Sequence, residues 1–268
     1  MSNPYLSELI ALCRTAGAAV MEIYRSQSLD VQRKADASPV TRADMASHRI
    51  LLEGLQALAD LPVLSEEAEV PPWEQRRQWC EYWLVDPLDG TREFIKGNGE
   101  FTINVALVRD GRPVLGVVYA PDKELWFWGG VGLGAFRQSG SDVAEAIHCA
   151  PPPKEVWRVL GSRSFQSPQL TEFLARLPAY ELLSVGSSLK LCLVASGEAD
   201  LYPRFGPISE WDTAAAQAVV EAAGGQVLNW HTLRPLTYNT KDSLLNPPFI
   251  VCAAMAEPWL LGRRPSPE

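Results

Sequence analysis

An apolar run from Tyr82 to Val85 stops at Asp86-Pro-Leu-Asp-Gly-Thr91. The run has the length and character of a buried strand. It ends abruptly in two carboxylates, a proline, a glycine and a threonine. A turn through Pro87 and Leu88 places Asp86 and Asp89 on one side, at the end of a strand, facing an open crevice. Hard cations such as Mg²⁺ need an oxygen cluster of this kind, completed by backbone carbonyls and water. Thr91, followed by Arg92-Glu93-Phe94, begins a helix whose free N–H groups favour an anion. Acids beside an anion site suggest phosphate held on metal. Asp-Pro and Asp-Gly are also ordinary turn formers, so the stretch by itself leaves both readings open.

The 268 residues suffice for one large domain or two smaller ones sharing an interface. The net charge of −8 excludes general binding to nucleic acid or to anionic membranes, both of which want a basic surface. A phosphorylated substrate therefore needs local neutralisation by metal and by a few placed cations. Cys13, Cys80, Cys149, Cys192 and Cys252 are odd in number and scattered, with no Cys-x-x-Cys pair. Reduced thiols in a cytoplasmic protein fit that pattern, and a disulfide framework or zinc site does not. The N-terminal residues lack a signal peptide's basic and apolar regions. No stretch approaches the roughly 18 apolar residues of a membrane span.

Leu6, Leu9, Ile10, Cys13, Gly17, Val20, Met21 and Tyr24 recur at helical spacing. A polar stretch from Arg33 to Pro39 reads as a mobile surface loop. Thr41 then precedes a second helix that turns Met45, His48, Leu51, Leu52, Leu55 and Leu58 inward. Pro62 to Glu67 reads as a short strand ending in two acids. Thr102–Val108 and Val114–Tyr119 flank an Asp110-Gly111 turn and predict a hairpin. Leu125–Trp128 and Ala135-Phe136 extend the antiparallel sheet against the two helices. Pro151-Pro-Pro153 marks a junction between halves 1–150 and 151–268. Beyond it, strands at 156–160, 182–185, 199–202, 227–228 and 249–253 alternate with helices at 171–177, 189–195 and 212–223. That alternation predicts an α/β half.

Glu66, Asp44 and Asp212 could join Asp86 and Asp89, although each taken singly reads as a cap or a solvated carboxylate. The combination is more telling. Ser65-Glu66-Glu67, Asp86-Pro-Leu-Asp-Gly-Thr91 and Trp211-Asp212-Thr-Ala-Ala215 resemble, in order and spacing, the signatures of the inositol monophosphatase-like, lithium-sensitive phosphatases. The likeness runs over most of the chain. Gly186-Ser-Ser-Leu-Lys190 and Tyr202-Pro-Arg-Phe-Gly206 further resemble the 3′(2′),5′-bisphosphate nucleotidase branch. The resemblance implies a mixed α/β (α+β) fold, a layered α-β-α-β-α sandwich with the metal ligands mostly in the first half.

It also implies a Mg²⁺ site of about two or three ions. Glu66, Asp86, the Leu88 carbonyl, Asp89 and Asp212 would be its ligands. Glu66 and Thr91 would orient the attacking water, and Asp44 would support Thr91 through a hydrogen bond. The N–H groups of Gly90 and Thr91 would grip the phosphate oxygens. Lys34, in the mobile loop, could close over the site. Lys190 and Arg204 would meet the substrate's second phosphate, and Ser187 and Ser188 could read its sugar or base, unless they simply cap the helix at Leu189. His48, His148 and His231 are expected to lie away from every acidic motif. The implied reaction is hydrolysis of the 3′-phosphate of adenosine 3′,5′-bisphosphate to AMP, in sulfur assimilation, with inhibition by Li⁺. An inositol or fructose phosphate is the alternative substrate, and a non-catalytic nucleotide sensor the alternative class. A haloacid-dehalogenase-type mechanism is rejected, because Pro87 stands where its nucleophilic aspartate would be. A homodimer and a loose seat on the cytoplasmic face of the inner membrane are left open.

Overall fold

A computed structural model describes residues 3–26, 32–33, 39–153, 155–161 and 167–253. The first helix, α1 (Leu6–Arg25), is followed by two short paired strands, β1 (Gln32–Arg33) and β2 (Pro39–Val40), and by α2 (Arg42–Leu58). Then come β3 (Val63–Ser65), a single-turn α3 (Trp73–Arg76), β4 (Glu81–Asp89) and α4 (Thr91–Lys96). Four further hairpin-linked strands, β5 (Thr102–Arg109), β6 (Arg112–Ala120), β7 (Leu125–Gly130) and β8 (Gly134–Ser139), lead to β9 (Glu145–Ala146). The strands β3 to β9 form one seven-stranded sheet in chain order. Its first pair is parallel and the others antiparallel.

The later residues build β10 (Trp157–Gly161), α5 (Pro168–Leu174), β11 (Tyr180–Ser184), α6 (Leu189–Ala195), β12 (Leu201–Arg204), α7 (Ala214–Ala222), β13 (Gln226–Asn229) and β14 (Phe249–Cys252). They form a second sheet in the order β11-β10-β12-β14-β13. The α5 helix starts earlier than its apolar spacing suggests, because Ser167 caps it by accepting the Leu170 N–H (3.1 Å) and Pro168 suits its first turn. The α3 turn carries no apolar periodicity and escapes a reading of the sequence.

Strand alternation assigns the layers. On β4, Trp83 and Val85 join α1 and α2 in one core, whereas Tyr82 and Leu84 face α6 and α7 in a second. On β14, Phe249 and Val251 close that second core from the far side, while Ile250 and Cys252 meet α5 in a third. The order is thus helix pair, sheet, helix pair, sheet, helix, the expected α-β-α-β-α sandwich. Strands buried on both faces read as continuous apolar runs, which is why 82–85 and 103–108 carry so little polar alternation. Each large apolar side chain buried in these layers contributes about 1.5–3 kcal/mol. Among the described residues, no helix is long and apolar enough to cross a membrane.

The central helix comes unusually close to the first sheet. A Cβ on Gly116 would lie 2.0 Å from the Ala215 carbonyl oxygen of α7, so backbone packs on backbone there. A rotamer change cannot relieve such a clash. Gly116→Val is expected to lower stability by about 3 kcal/mol or more through overpacking. Urea unfolding would check this, and an unchanged midpoint would refute the close approach.

Candidate metal and phosphate site

Residues three apart on a regular strand face opposite sides of a sheet. Asp86 pairs with Asn104 and Asp89 with Thr102, so two residues of β4 bulge opposite Ile103 alone. The extra residue returns Asp89 to the face of Asp86. The acids therefore do share a side, as expected, but through a bulge inside a continuing strand and not through a turn that ends it. Pro87 is tolerated because a bulge needs no ladder N–H there. Its carbonyl accepts the Ser47 hydroxyl of α2 (2.7 Å). Gly90, at φ +93°, then lets the chain turn into α4, where a Cβ would meet the Glu100 carbonyl at 2.9 Å.

Three segments bring their acids to this strand end. Glu66 follows β3, and its N–H reaches the Val85 carbonyl (3.2 Å). Asp212 stands in the turn before α7, where its Oδ2 accepts the Ser209 N–H (3.0 Å). Carboxylate oxygens of Glu66, Asp86 and Asp212 all lie within 4.8 Å of one another. Asp86 is buried, with Oδ1 taking the Leu88 N–H (3.0 Å) and Oδ2 without a hydrogen-bond partner. Asp89 falls outside this tightest group, yet its charge acts on both Asp86 and Asp212.

Burial, and then the neighbouring carboxylates, push Asp86 and Asp212 well above the usual aspartate range. Burial likewise pushes Asp89 up to about 6, against the pull of the Lys190 ammonium and with a further push from Glu66. An orphaned buried oxygen among clustered acids with no nitrogen or sulfur donor suits Mg²⁺, a hard cation that prefers oxygen.

The expected bond between Asp44 and Thr91 is present, with Thr91 Oγ1 donating to Asp44 Oδ1 (3.2 Å). Leu88 O is the hydroxyl's other neighbour, at 3.4 Å. Asp44 is also the third residue of α2 and closes a capping box with Thr41. Its Oδ2 accepts both the N–H (2.7 Å) and the hydroxyl (2.6 Å) of Thr41. That leaves the carboxylate little freedom to swing.

Beside the acids opens a pocket of about 160 Å³, walled by Asp89, Gly90, Arg92, Glu93, Ser187, Ser188, Lys190, Tyr202, Arg204 and Asp212. Lys190 is buried, donates to the Ser187 carbonyl (2.5 Å), and stands over the Tyr202 ring at 5.4 Å. Burial brings its pKa down to about 8, with Asp89 holding it up and Arg204 pushing it further down. Ser188 is spent internally on Thr102 Oγ1 (2.8 Å) and Asn104 Oδ1 (2.7 Å), so its hydroxyl braces the wall. It makes no side-chain cap either, and the Leu189 N–H turns instead to Ser187 Oγ at 3.4 Å. Lys34 lies outside the described residues. A roomier cavity of about 390 Å³, between the end of α1 and the start of α2, has none of the caging acids in its walls. Converging charge, not volume, marks the site.

Two expectations about α2 are overturned: Met45 is exposed and not turned inward, and His48 lies beside an acidic motif. His48 does not lie away from the acidic motifs, because its Nδ1 is 2.9 Å from Ser65 Oγ, next to Glu66. It shares the buried face of α2 with Asp44 and Ser47, at helical spacing. That spacing was the available signal. What it could not show is that this face reaches β3. Arg92 and Glu93, both in the pocket wall, carry no signal in the sequence beyond the opening of a helix.

The model of the inositol monophosphatase family matches residues 2–259. This chain belongs to that family. Among its relatives, the 3′(2′),5′-bisphosphate nucleotidase CysQ of Salmonella typhimurium is 49% identical over 248 residues, covering 92% of this chain and 98% of that one. The crystal structure of CysQ from Bacteroides thetaiotaomicron, itself a member of the family, superposes with a TM-score of 0.83 at 40% identity, covering 93% and 97%. An inositol monophosphatase structure from Anabaena (Nostoc) gives 0.73 at 25% identity, covering 93% and 90%. The family fold is common to both, and the sequence lies nearer the former.

In the metal-free protein, carboxyls with raised pKa values favour the folded state only while protonated. Their cost appears as pH rises from about 4, where unfolded aspartates ionise, through the raised pKa values of the buried acids, which for Asp89 is about 6. A divalent cation reverses that cost. Mg²⁺ is expected to raise the thermal midpoint more at about pH 8 than at about pH 5.5. Equal shifts at both pH values would count against these acids as the metal site.

Proposed function

We propose that this chain is a Mg²⁺-dependent phosphomonoesterase that hydrolyses the 3′-phosphate of adenosine 3′,5′-bisphosphate, giving AMP and phosphate. One observation carries the substrate: the acid cage adjoins a pocket that holds Lys190, Arg92 and Arg204. A bisphosphate needs two anion sites side by side, whereas an inositol monophosphate needs one. The 49% identity to a named bisphosphate nucleotidase over nearly its full length supports the same choice. All five cysteines are free, as a reducing cytoplasm allows, which supports the reading of a cytoplasmic activity that would clear a by-product of sulfate activation.

Mg²⁺ held by Glu66, Asp86 and Asp212, with Asp89 and the Leu88 carbonyl, would neutralise the phosphate and make water a better nucleophile. The residues do the rest. Thr91 directs its one hydroxyl proton at Asp44, so its lone pairs are left to accept from the attacking water and align it. Gly90 and Thr91 offer backbone N–H groups to the phosphate oxygens at the start of α4. Water adds to phosphorus as the bond to the 3′-oxygen breaks; one of the water's protons ends on that oxygen, which leaves as the ribose hydroxyl, and the other stays on the phosphate. Lys190 and Arg204 hold the 5′-phosphate and thereby orient the ester.

Phosphate release from adenosine 3′,5′-bisphosphate is expected to exceed that from inositol 1-phosphate, and the reverse preference would overturn the substrate. Steady turnover excludes a non-catalytic sensor, and Li⁺ at millimolar concentration is expected to inhibit. Thr91→Ala should lower kcat by about 10²-fold with KM little changed. Asp89→Asn should abolish most activity, and wild-type rates there would refute the ligand assignment. Lys190→Met should raise KM for the bisphosphate but not for adenosine 3′-monophosphate, which lacks the second phosphate. An equal effect on both substrates would remove Lys190 from that role.

A further inference from the structure

Asp212 is the one caging acid that comes from the second sheet's side of the molecule, and it sits in a turn. A turn is a poor platform for a carboxylate repelled by two others. The adjoining residues supply what the turn lacks. Glu210, two positions earlier, is completely buried, yet it is not among the acids that cage the site. Its Oε2 accepts the Asn239 N–H (2.7 Å), and its Oε1 is 3.7 Å from Lys241 Nζ. Its carbonyl accepts the N–H groups of Thr213 and Ala214, each at 3.2 Å.

The far end of this chain of bonds is Arg76, in α3, on the connection between β3, which Glu66 follows, and β4, which carries Asp86. Arg76 is 1% exposed although it is an arginine in a short surface connection. Its Nη1 donates to Asn239 Oδ1 (2.6 Å) and to the Lys241 carbonyl (3.1 Å), and its Nη2 to the Asp242 carbonyl. Asn239 Nδ2 returns a bond to the Arg76 carbonyl (2.6 Å). A buried guanidinium and a buried carboxylate are costly unless their partners are fixed. Here the partners join the connection bearing Arg76 to the turn bearing Asp212.

We propose that Arg76, Asn239 and Glu210 are positioning residues that fix Asp212 against Glu66 and Asp86, and so set the affinity of the cage for a divalent cation. The inference rests on reading that cage as a metal site. Groups behind metal ligands commonly change affinity by about 10–100-fold when removed. None of the three touches the metal or the substrate; each acts through Asp212.

Calorimetric titration of the full chain with Mg²⁺, without substrate, tests it. Glu210→Ala and Asn239→Gly should each weaken binding by about tenfold or more. Glu210→Gln keeps an acceptor for the Asn239 N–H and should restore most of the affinity. Asn239→Gly removes the contact with Arg76, retains the backbone N–H, and suits the φ of +51° at that position, so it carries the test should Glu210→Ala not fold. At saturating Mg²⁺, kcat of Asn239→Gly should stay near wild type, a split that a general loss of stability would not produce. Wild-type Mg²⁺ affinity in both variants, even with lowered melting temperatures, overturns the inference and leaves the metal reading standing. No Mg²⁺ binding by the wild-type chain overturns both.

Discussion

Carboxylates held out of water within reach of one another repel, and the rest of the molecule has to hold them against that repulsion. Glu66, Asp86 and Asp212 approach within 4.8 Å, and Asp86 leaves one oxygen wholly unpartnered. No group of this kind assembles unaided. It persists because each acid is carried at the margin of a large apolar core whose formation outweighs the electrostatic cost. The raised pKa values of Asp86, Asp89 and Asp212 express the same tension, and a divalent cation relieves it.

The scaffold distributes the work among elements of different stiffness. β4, with Trp83, Leu84 and Val85 buried on both faces, holds Asp86 and Asp89 most firmly. α2 braces the site from one side through three neighbouring residues: Asp44 to Thr91, Ser47 to the Pro87 carbonyl, and His48 to Ser65. From the other side the Asp212 turn, whose neighbour Trp211 packs against the second core, is also held by buried polar bonds. Such bonds are directional, so they specify position where packing specifies mainly proximity. A site that must collect phosphate, water and cation within a few ångströms gains more from direction than from bulk burial.

The pocket wall shows a similar economy. Ser188 looks from its place in Gly186-Ser-Ser-Leu-Lys190 like a reader of substrate, and instead ties α6 to Thr102 and Asn104 of β5. Lys190, one turn of logic further on, keeps its ammonium at the cavity. Adjacent residues in a short motif thus divide between holding the wall and facing the ligand. Spacing alone does not say which is which, since both need a polar side chain at the start of a helix.

Much of the site could be read in the chain. Asp86, Asp89 and Thr91 stand out because acids and a glycine abruptly follow a run that has to be buried. Glu66 and Asp212 join them only through the resemblance of their motifs, in order and spacing, to the family's signatures. The elements were legible wherever apolar periodicity ran long, as in α1, α2 and the strands β4 to β7. Harder to see were the bulge at Pro87, the reach of His48 to Ser65, and the interlock of Arg76 with Asn239, residues 163 positions apart. The sequence by itself determined which residues must be buried, which chemistry the exposed strand ends could support, and the family pattern that joins them. Only the tertiary structure decided which acids meet, which hydroxyls are already spent, and what braces the turn at Asp212. Those outcomes depend on distances between segments remote in the chain, and local pattern carries no information about such distances.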